Sequence, residues 1–265
     1  MEFNPNELMI EKVRSVEEYD IDTNELIGRY TQIEDPSLQT SADGTDVTDA
    51  MGAAITTFYR AQSGTFGFSN SFFSMDLLAS QAGTDKKVAS SSDKIQVPVS
   101  ETITIGSDHT AVLKYVPVGT KGAEIKFVKV INGDNTFGKT YELSSTAGTG
   151  KFILDAATKK ITLPEDATGK VFVNYTRESE KAAMVSKTTD SVPQMKSLLI
   201  HVIFHEICNP NNVIAGVISC PRAQIDPSSV EVNFTSDGKH AASYILRPSY
   251  CDDENKLFDI IVSAD

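Results

Sequence analysis

The sequence predicts a mainly β protein in which a small β domain interrupts a larger one. Short β-rich runs of similar length fill the region from Val97 to Arg177, and Gly, Asn and Asp separate them at turns. Short strands with regular turn signals are typical of a β-sandwich. The flanking sequence contains its own apolar runs with strand-like alternation. We therefore predict a β-sandwich at residues 95–178, inserted into a discontinuous β domain made of residues 1–94 and 179–265.

The N-terminal part of the chain is predominantly polar. Residues 1–20 carry scattered apolar positions, which favours a short helix or an arm, whereas residues 26–33 have the composition of a strand. Residues 35–50 contain almost no large apolar side chain. A polar stretch of this length inside a compact domain is usually functional or disordered. We therefore predict a long loop or a loosely held hairpin at residues 31–50.

Two predicted strands and a helix follow this polar stretch. Residues 54–61 and 64–71 alternate apolar and polar side chains with the period of two that a strand requires. Between residues 72 and 83 the apolar positions take helical spacing, and Gly83 stands where a helix C-terminus favours glycine. The sequence thus predicts strand, strand and short amphipathic helix before the insertion.

The remaining predicted strands form two groups. Those of the insertion are residues 101–105, 111–118, 124–131, 140–144, 151–165 and 170–177. After the insertion, residues 197–209 are predicted to form a long apolar strand that is buried on both faces near its middle. The strand at residues 213–220 is expected to end at Pro221, since proline interrupts a strand ladder. The chain then closes as an antiparallel meander through predicted strands at residues 230–234, 241–246 and 256–262.

Charge separates the two predicted domains. The net charge of the chain is −12. Residues 95–177 carry ten Lys or Arg and eight Asp or Glu, a balance of +2, so the rest of the chain carries −14. Such an acidic domain disfavours binding to nucleic-acid phosphates, although nucleic acid can still pass along an acidic wall.

The cysteines and the apolar runs indicate the compartment. Cys208, Cys220 and Cys251 are few and lack metal-binding spacing, so we expect reduced thiols rather than a disulfide framework. The acidic N-terminal sequence has no apolar segment of the kind a signal peptide requires. No apolar run approaches the length of a membrane-spanning helix, so we expect no membrane span.

One segment offers metal-ligand residue types. His201, His205, Glu206 and Cys208 lie within eight residues, but Asn209 stands where a zinc-protease helix would place its second histidine. The surrounding aliphatic residues favour a strand, on which the two histidines would lie about 13 Å apart, too far for one ion. We therefore favour a structural strand over an interface metal site, and either of these over a catalytic one.

The polar stretch at residues 31–50 is rich in aspartate. Asp43, Asp46 and Asp49 are spaced too loosely for a calcium-binding loop, which needs a denser pattern and a terminal glutamate. With Asp35 they are better interpreted as part of a loop that faces a partner. No combination of acid, base and nucleophile stands out elsewhere, so the sequence predicts neither an enzyme nor a cofactor.

The flanking segments resemble the tail tube proteins of tailed bacteriophages. The order of strand, strand and short helix ending at glycine in residues 55–84 is similar to the core of a tube subunit, and residues 200–250 are similar to the closing strands of phage structural proteins. The insertion, above all residues 162–178, resembles the immunoglobulin-like domains of phage tail and capsid proteins.

This resemblance implies a fold and a function. The fold is a tail-tube-like β-sandwich or barrel with a short helix, plus an inserted immunoglobulin-like β-sandwich. The implied function is that of a virion structural protein, a subunit of rings that are commonly hexameric and stack to form a conduit for viral DNA. The resemblance also implies contact with other phage tail proteins and assembly in the host cytoplasm. The expected inter-subunit loop contains Asp35, Asp43, Asp46 and Asp49.

Three alternatives stay open. The first is a capsid decoration or other head structural protein. The second is a module that binds carbohydrate or a cell surface through the inserted domain. The third is a metal-dependent hydrolase built on His201, His205 and Glu206.

Overall fold

The computed structural model describes residues 4–146, 148–207, 211–228, 230, 232, 239–248 and 255–263. Strands make up 56% of the structure and helix 3%, which confirms the predicted mainly β class. The chain forms two compact units: unit 1 comprises Met1–Lys86 and Val185–Asp265, and unit 2 comprises Lys87–Met184. The predicted insertion at residues 95–178 lies within unit 2.

The described residues form one helix and seventeen strands. The first segment of unit 1 contains β1 (Leu8–Asp20), β2 (Leu26–Tyr30), β3 (Ile33–Thr48), β4 (Ala54–Asn70) and α1 (Met75–Ala82). Unit 2 contains β5 (Lys87–Val88), β6 (Ile95–Thr104), β7 (Thr110–Val112), β8 (Phe127–Ile131), β9 (Phe137–Leu143), β10 (Lys151–Asp155), β11 (Lys160–Thr162), β12 (Lys170–Ser179) and β13 (Ala183–Met184). The second segment of unit 1 contains β14 (Met195–Glu206), β15 (Val213–Ile225), β16 (His240–Leu246) and β17 (Asp259–Ser263).

The strands of unit 1 form an antiparallel sheet in the order β2-β1-β14-β15-β16-β4-β3 among the described residues, with β17 also paired to β15. Strand β14 buries alternate residues, so Leu198, Ile200 and Val202 enter the core. The strand predicted at residues 197–209 is therefore confirmed up to Glu206, but the expected burial on both faces is wrong, because the residues between the buried ones are only half-buried. The prediction at residues 230–234 falls mostly outside the described residues.

Strand β1 replaces the helix or arm predicted for residues 1–20, so that prediction is wrong. The strand pairs with β14 along its length, but bulges interrupt the register between Ile10 and Lys12 and between Val13 and Ser15. A bulge adds one residue and moves the following side chains to the opposite face. Val13 pairs with Val202 and Val16 with Ile200, so core-facing positions of β1 are three residues apart across the bulge, and the simple alternation that identifies a strand is lost from the sequence.

Strand β15 continues through Pro221 to Ile225, so the predicted end at Pro221 is also wrong. The register between β14 and β15 shifts beside this position, where Leu198 pairs with Cys220 but Lys196 pairs with Ala223. Proline donates no backbone hydrogen bond, and a bulge is one of the places where a sheet tolerates it.

Helix α1 forms where the sequence predicts it. Ser74 caps its first turn by accepting a hydrogen bond from the Leu77 N–H at 3.3 Å. Gly83 ends the helix in the left-handed conformation with φ of 69°, and its N–H is directed back at the last-turn carbonyls. The buried face of the helix carries Leu77, which is fully excluded from solvent.

Replacing Gly83 with alanine is expected to lower the free energy of unfolding by about 2 kcal/mol or more. The left-handed conformation itself costs an L-residue about 1–2 kcal/mol. A Cβ at this position would also lie 2.2 Å from the Val192 carbonyl oxygen. Urea titration of Gly83→Ala measures this cost, with Gly133→Ala as the control because a Cβ at Gly133 meets nothing within 4 Å. Equal losses in the two variants would contradict the expectation.

Unit 2 encloses its own core. Strands β6, β12, β8 and β9 lie side by side in that order and form one group. A short parallel pairing of β9 with β10 joins them to a second group, in the order β10, β11 and β7. Inward side chains from the two groups form one cluster that includes Phe152, Ile161, Val171 and Val173. The run predicted as one strand at residues 151–165 is instead the hairpin of β10 and β11.

Candidate assembly surface

Strands β3 and β4 form a long hairpin where the sequence predicts a loop or a loosely held hairpin. They pair from Ile33 and Asn70 to Thr48 and Ala54. Asp49 closes the turn: its carboxylate Oδ1 accepts hydrogen bonds from the N–H groups of Met51 at 2.8 Å and Ala53 at 2.9 Å. The loop alternative is wrong, because the backbone polar groups of this stretch are satisfied by the strand ladder and the turn.

The outer part of this hairpin extends beyond the rest of the sheet. Strand β16 pairs with β4 only between Gly64 and Asn70. From Ala42 to Gln62, β3 and β4 pair with each other, and no other described strand is paired with them. We call residues 42–62 the distal hairpin. At about 3.3 Å per residue, it extends about 25 Å past the last pair with β16.

Large apolar side chains are exposed along the distal hairpin. Phe58 is 65% exposed, Tyr59 73% and Met51 94%. Phe58 and Tyr59 are neighbours on a strand, so they point to opposite faces of the ribbon. Ile55, at 67% exposed, is the extra residue at the register shift between Ala54 and Thr56. Both faces of the distal hairpin are therefore apolar and exposed to solvent.

The four aspartates predicted to face a partner do not form one cluster. Asp35 lies near the start of β3, with Oδ2 3.4 Å from Lys239 Nζ. Asp43 occupies a register shift of the distal hairpin, Asp46 accepts a hydrogen bond from Thr57 at 2.6 Å, and Asp49 closes the turn. No described cation forms a salt bridge with Asp43, Asp46 or Asp49. Asp43, Asp46 and Asp49 thus lie on the distal hairpin, together with its exposed apolar side chains.

The two histidines of β14 each contact a different glutamate of β1. His201 Nε2 lies 3.3 Å from Glu17 Oε2, and His205 Nε2 lies 2.6 Å from Glu11 Oε2. Burial acts to raise the pKa of Glu17, but its hydrogen bonds with Tyr19 and His201 outweigh burial and leave the pKa below its usual value. Within the described residues, no group of three or more His, Cys, Asp or Glu is placed to hold a metal ion.

A buried polar cluster that the sequence does not reveal lies inside unit 1. Glu18 is fully buried, and its Oε2 accepts hydrogen bonds from Ser80 Oγ at 2.6 Å and Lys196 Nζ at 2.9 Å. Tyr244 donates to the other oxygen of Glu18. Burial, together with the Glu18 carboxylate beside it, raises the pKa of Tyr244 well above its usual value, so Tyr244 remains a donor.

This cluster borders a cleft of about 640 Å³, to which Ser80 and Lys196 contribute. Carboxylates of Asp20 and Asp76 also line the cleft, and Asp76 forms a salt bridge with Lys86. The Lys196 amine is already engaged with Glu18 and Ser80, so the arrangement holds the fold together rather than presenting a free nucleophile. Cys220 is also buried, and burial raises the pKa of its thiol to about 12, so it is not a reactive thiolate.

His240 connects helix α1 to strand β16. Its Nδ1 accepts a hydrogen bond from the Ser74 N–H at 3.3 Å, so the proton of the neutral ring is on Nε2, which donates to Gln81 Oε1 at 2.8 Å. Gln81 in turn donates to the Ala241 carbonyl at 2.7 Å. Burial lowers the pKa of His240 below its usual value of 6.5, because the charged ring is poorly solvated.

We expect His240 to make unit 1 less stable as the pH falls through 6.5. Below that pH the unfolded chain binds a proton that the folded chain excludes, so stability decreases until the lower pKa of the folded state is reached. His240→Asn keeps an acceptor for Ser74 but cannot titrate, so its unfolding free energy should lose this part of the pH dependence. Urea titrations between pH 5 and 7.5 test this, with His109→Asn in unit 2 as the control. An unchanged pH profile in His240→Asn would contradict it.

Comparisons with known proteins give no identification. A scan of the chain against protein-family models finds no match, and a search of curated proteins finds no match either. No described helix is long and apolar enough to cross a membrane.

Proposed function

We propose that this chain is a virion structural protein, a subunit of stacked rings that form a phage tail tube through which viral DNA is ejected. The distal hairpin is the observation that carries the proposal. It presents Ile55, Phe58 and Tyr59 to solvent on a two-stranded ribbon that no other described strand supports. An isolated two-stranded ribbon is marginally stable in water. Exposed apolar side chains concentrated on such a ribbon are typical of a contact with another protein chain.

Charge supports a conduit for DNA. The chain outside residues 95–177 carries a net charge of −14. An acidic lumen repels phosphates, which lets DNA slide without binding. In this proposal the near-neutral inserted domain decorates the outside of the tube. Other phage tail proteins would contact the first and last rings.

Imaging of the purified full-length chain tests the proposal. We expect negative-stain electron micrographs to contain rings or tubes with a central channel, and light scattering to give a mass that grows with protein concentration. A chain that stays monomeric from micromolar to millimolar concentration would disprove the proposal. Closed shells or ordered binding to capsids, without a channel, would instead favour a capsid decoration protein.

A further inference from the structure

Unit 2 presents an exposed sheet face that carries aromatic rings and lysines. Val171 and Val173 of β12 point into the core, so Phe172 between them points outward. Phe172 pairs with Lys129 of β8, and Ile131 of β8 pairs with Phe137 of β9. These outward positions therefore share one face of the β6-β12-β8-β9 group.

The rings on this face lie close together. The Phe137 and Phe172 rings meet edge to face with centroids 5.6 Å apart, and Lys129 Nζ lies 5.8 Å from the centre of the Phe137 ring. Phe137 is 61% exposed and Phe127, also on this face, is 50% exposed. We call Phe127, Lys129, Phe137, Lys170 and Phe172 the aromatic–lysine face.

The two lysines of this face are free to pair with a partner. Neither Lys129 nor Lys170 forms a salt bridge with any described residue. The face also carries one carboxylate, that of the exposed Glu142 opposite Phe127, so its net charge is +1. A positively charged surface of aromatic rings is complementary to one that combines apolar side chains with carboxylates. The distal hairpin has that composition: besides its apolar side chains, residues 42–62 contain Asp43, Asp46 and Asp49 against a single Arg60.

We propose that the distal hairpin of one copy of this chain docks on the aromatic–lysine face of another copy. This inference rests on the proposed assembly function, for which it names the receiving surface. In the docked arrangement Phe58 or Tyr59 packs against the phenylalanine rings, and the hairpin carboxylates lie beside Lys129 and Lys170.

The distal hairpin is long enough to span this face. Strand β8 pairs with β12 only from Lys170 to Val173, so the part that the four strands share is about 15 Å across and about 13 Å along the strands. The distal hairpin is about 25 Å long and two strands wide, so part of its length covers this face. A contact of this size buries a few hundred Å² on each partner, which is the weak end of specific interfaces. Docking is therefore expected to depend on concentration and to be strengthened by repetition in an assembly.

Charge reversal on full-length chains tests the docking. Two variants are compared by sedimentation velocity: a lysine variant with Lys129→Glu and Lys170→Glu, and an aspartate variant with Asp43→Lys and Asp46→Lys. Each should raise the concentration needed for self-association by roughly tenfold. A control with Lys114→Glu and Lys181→Glu reverses two exposed lysines of unit 2 outside the face and should behave like the unaltered chain. Circular dichroism establishes that each variant is folded.

An equimolar mixture of the two reversed chains gives the decisive result. The lysine variant has an acidic hairpin and an acidic face, and the aspartate variant has a basic hairpin and a basic face. Each contact between the two variants therefore joins opposite charges, so we expect association in the mixture to return to within about threefold of the unaltered chain. Restoration supports docking between copies. No effect of reversing Lys129 and Lys170, in a chain that still assembles, would overturn this inference and leave the proposed function standing. Failure of the unaltered chain to assemble would overturn both.

Substitution of the phenylalanines distinguishes docking of a second copy from binding of this face to the cell surface. Phe127→Ser with Phe137→Ser should lose self-association by at least tenfold. If this variant instead assembles normally but loses retention on purified peptidoglycan, the face binds the cell surface and the docking inference is wrong.

Discussion

A chain carrying Ile55→Thr, Phe58→Thr and Tyr59→Thr is expected to remain monomeric where the unaltered chain forms rings or tubes. Threonine keeps the strand preference of the ribbon but removes its large apolar side chains. Truncating a central aromatic anchor of an interface costs about 2 kcal/mol or more. The loss of two such aromatic side chains, with Ile55 in addition, should therefore raise the concentration needed for assembly by roughly a thousandfold or more. Mass photometry and negative-stain imaging over a concentration series measure this directly.

The fold of this variant should be unaffected. All three side chains are more than half exposed, and surface substitutions of this kind change stability by less than about 0.5 kcal/mol. Val112→Thr with Val116→Thr is the matched control, because these valines are 57% and 50% exposed in unit 2 and lie outside both proposed surfaces. Assembly of the hairpin variant at the concentration that suffices for this control would show that the distal hairpin is not the contact.

Replacing Lys196 with methionine should destabilise unit 1 by about 3–5 kcal/mol. Removing one partner of a buried ion pair leaves the other charge uncompensated, and that effect is of this size. Glu18 would keep the hydroxyl donors of Ser80 and Tyr244 but lose the ammonium group that neutralises it. Urea titration followed by circular dichroism measures the loss in the transition assigned to unit 1.

Two further variants show whether the cost of Lys196→Met arises from leaving a buried charge without its partner. Lys239→Met removes an exposed ion pair with Glu34 and should cost less than about 1 kcal/mol. Glu18→Gln combined with Lys196→Met should cost less than the sum of the two single changes, because both buried charges are then absent. If Lys196→Met proves no more harmful than Lys239→Met, the pair does not stabilise the fold as argued.

The sequence predicts the elements whose signals are local. Helix α1 is an example, since its apolar spacing and the glycine at position 83 both lie within one short segment. Strand β14 is another, because a continuous aliphatic run is buried on one face and tolerated on the other. In both cases neighbouring residues contain the information that determines the conformation.

Features that depend on pairing across the chain could not be predicted in the same way. The bulges of β1 erase its alternation, and the bulge that accommodates Pro221 exists only in register with β14. Glu18 and Lys196 are 178 residues apart, so nothing near either one indicates the buried pair. For residues 31–50 the sequence leaves both a loop and a hairpin open, because strand β3 is polar and exposed over most of its length and so has the composition of a loop.

Strand β4 connects the exposed tip of the hairpin directly to the core, and this determines how unit 1 bears mechanical load. The strand that displays Phe58 outside also places Phe66 and Phe68 in the core, 2% and 3% exposed. A pull on the tip acts along the strand axis. The seven residue pairs that join β4 to β16 are then loaded together in shear, instead of opening one after another. A tube built through such tips would pass tension from subunit to subunit while each sheet stays intact.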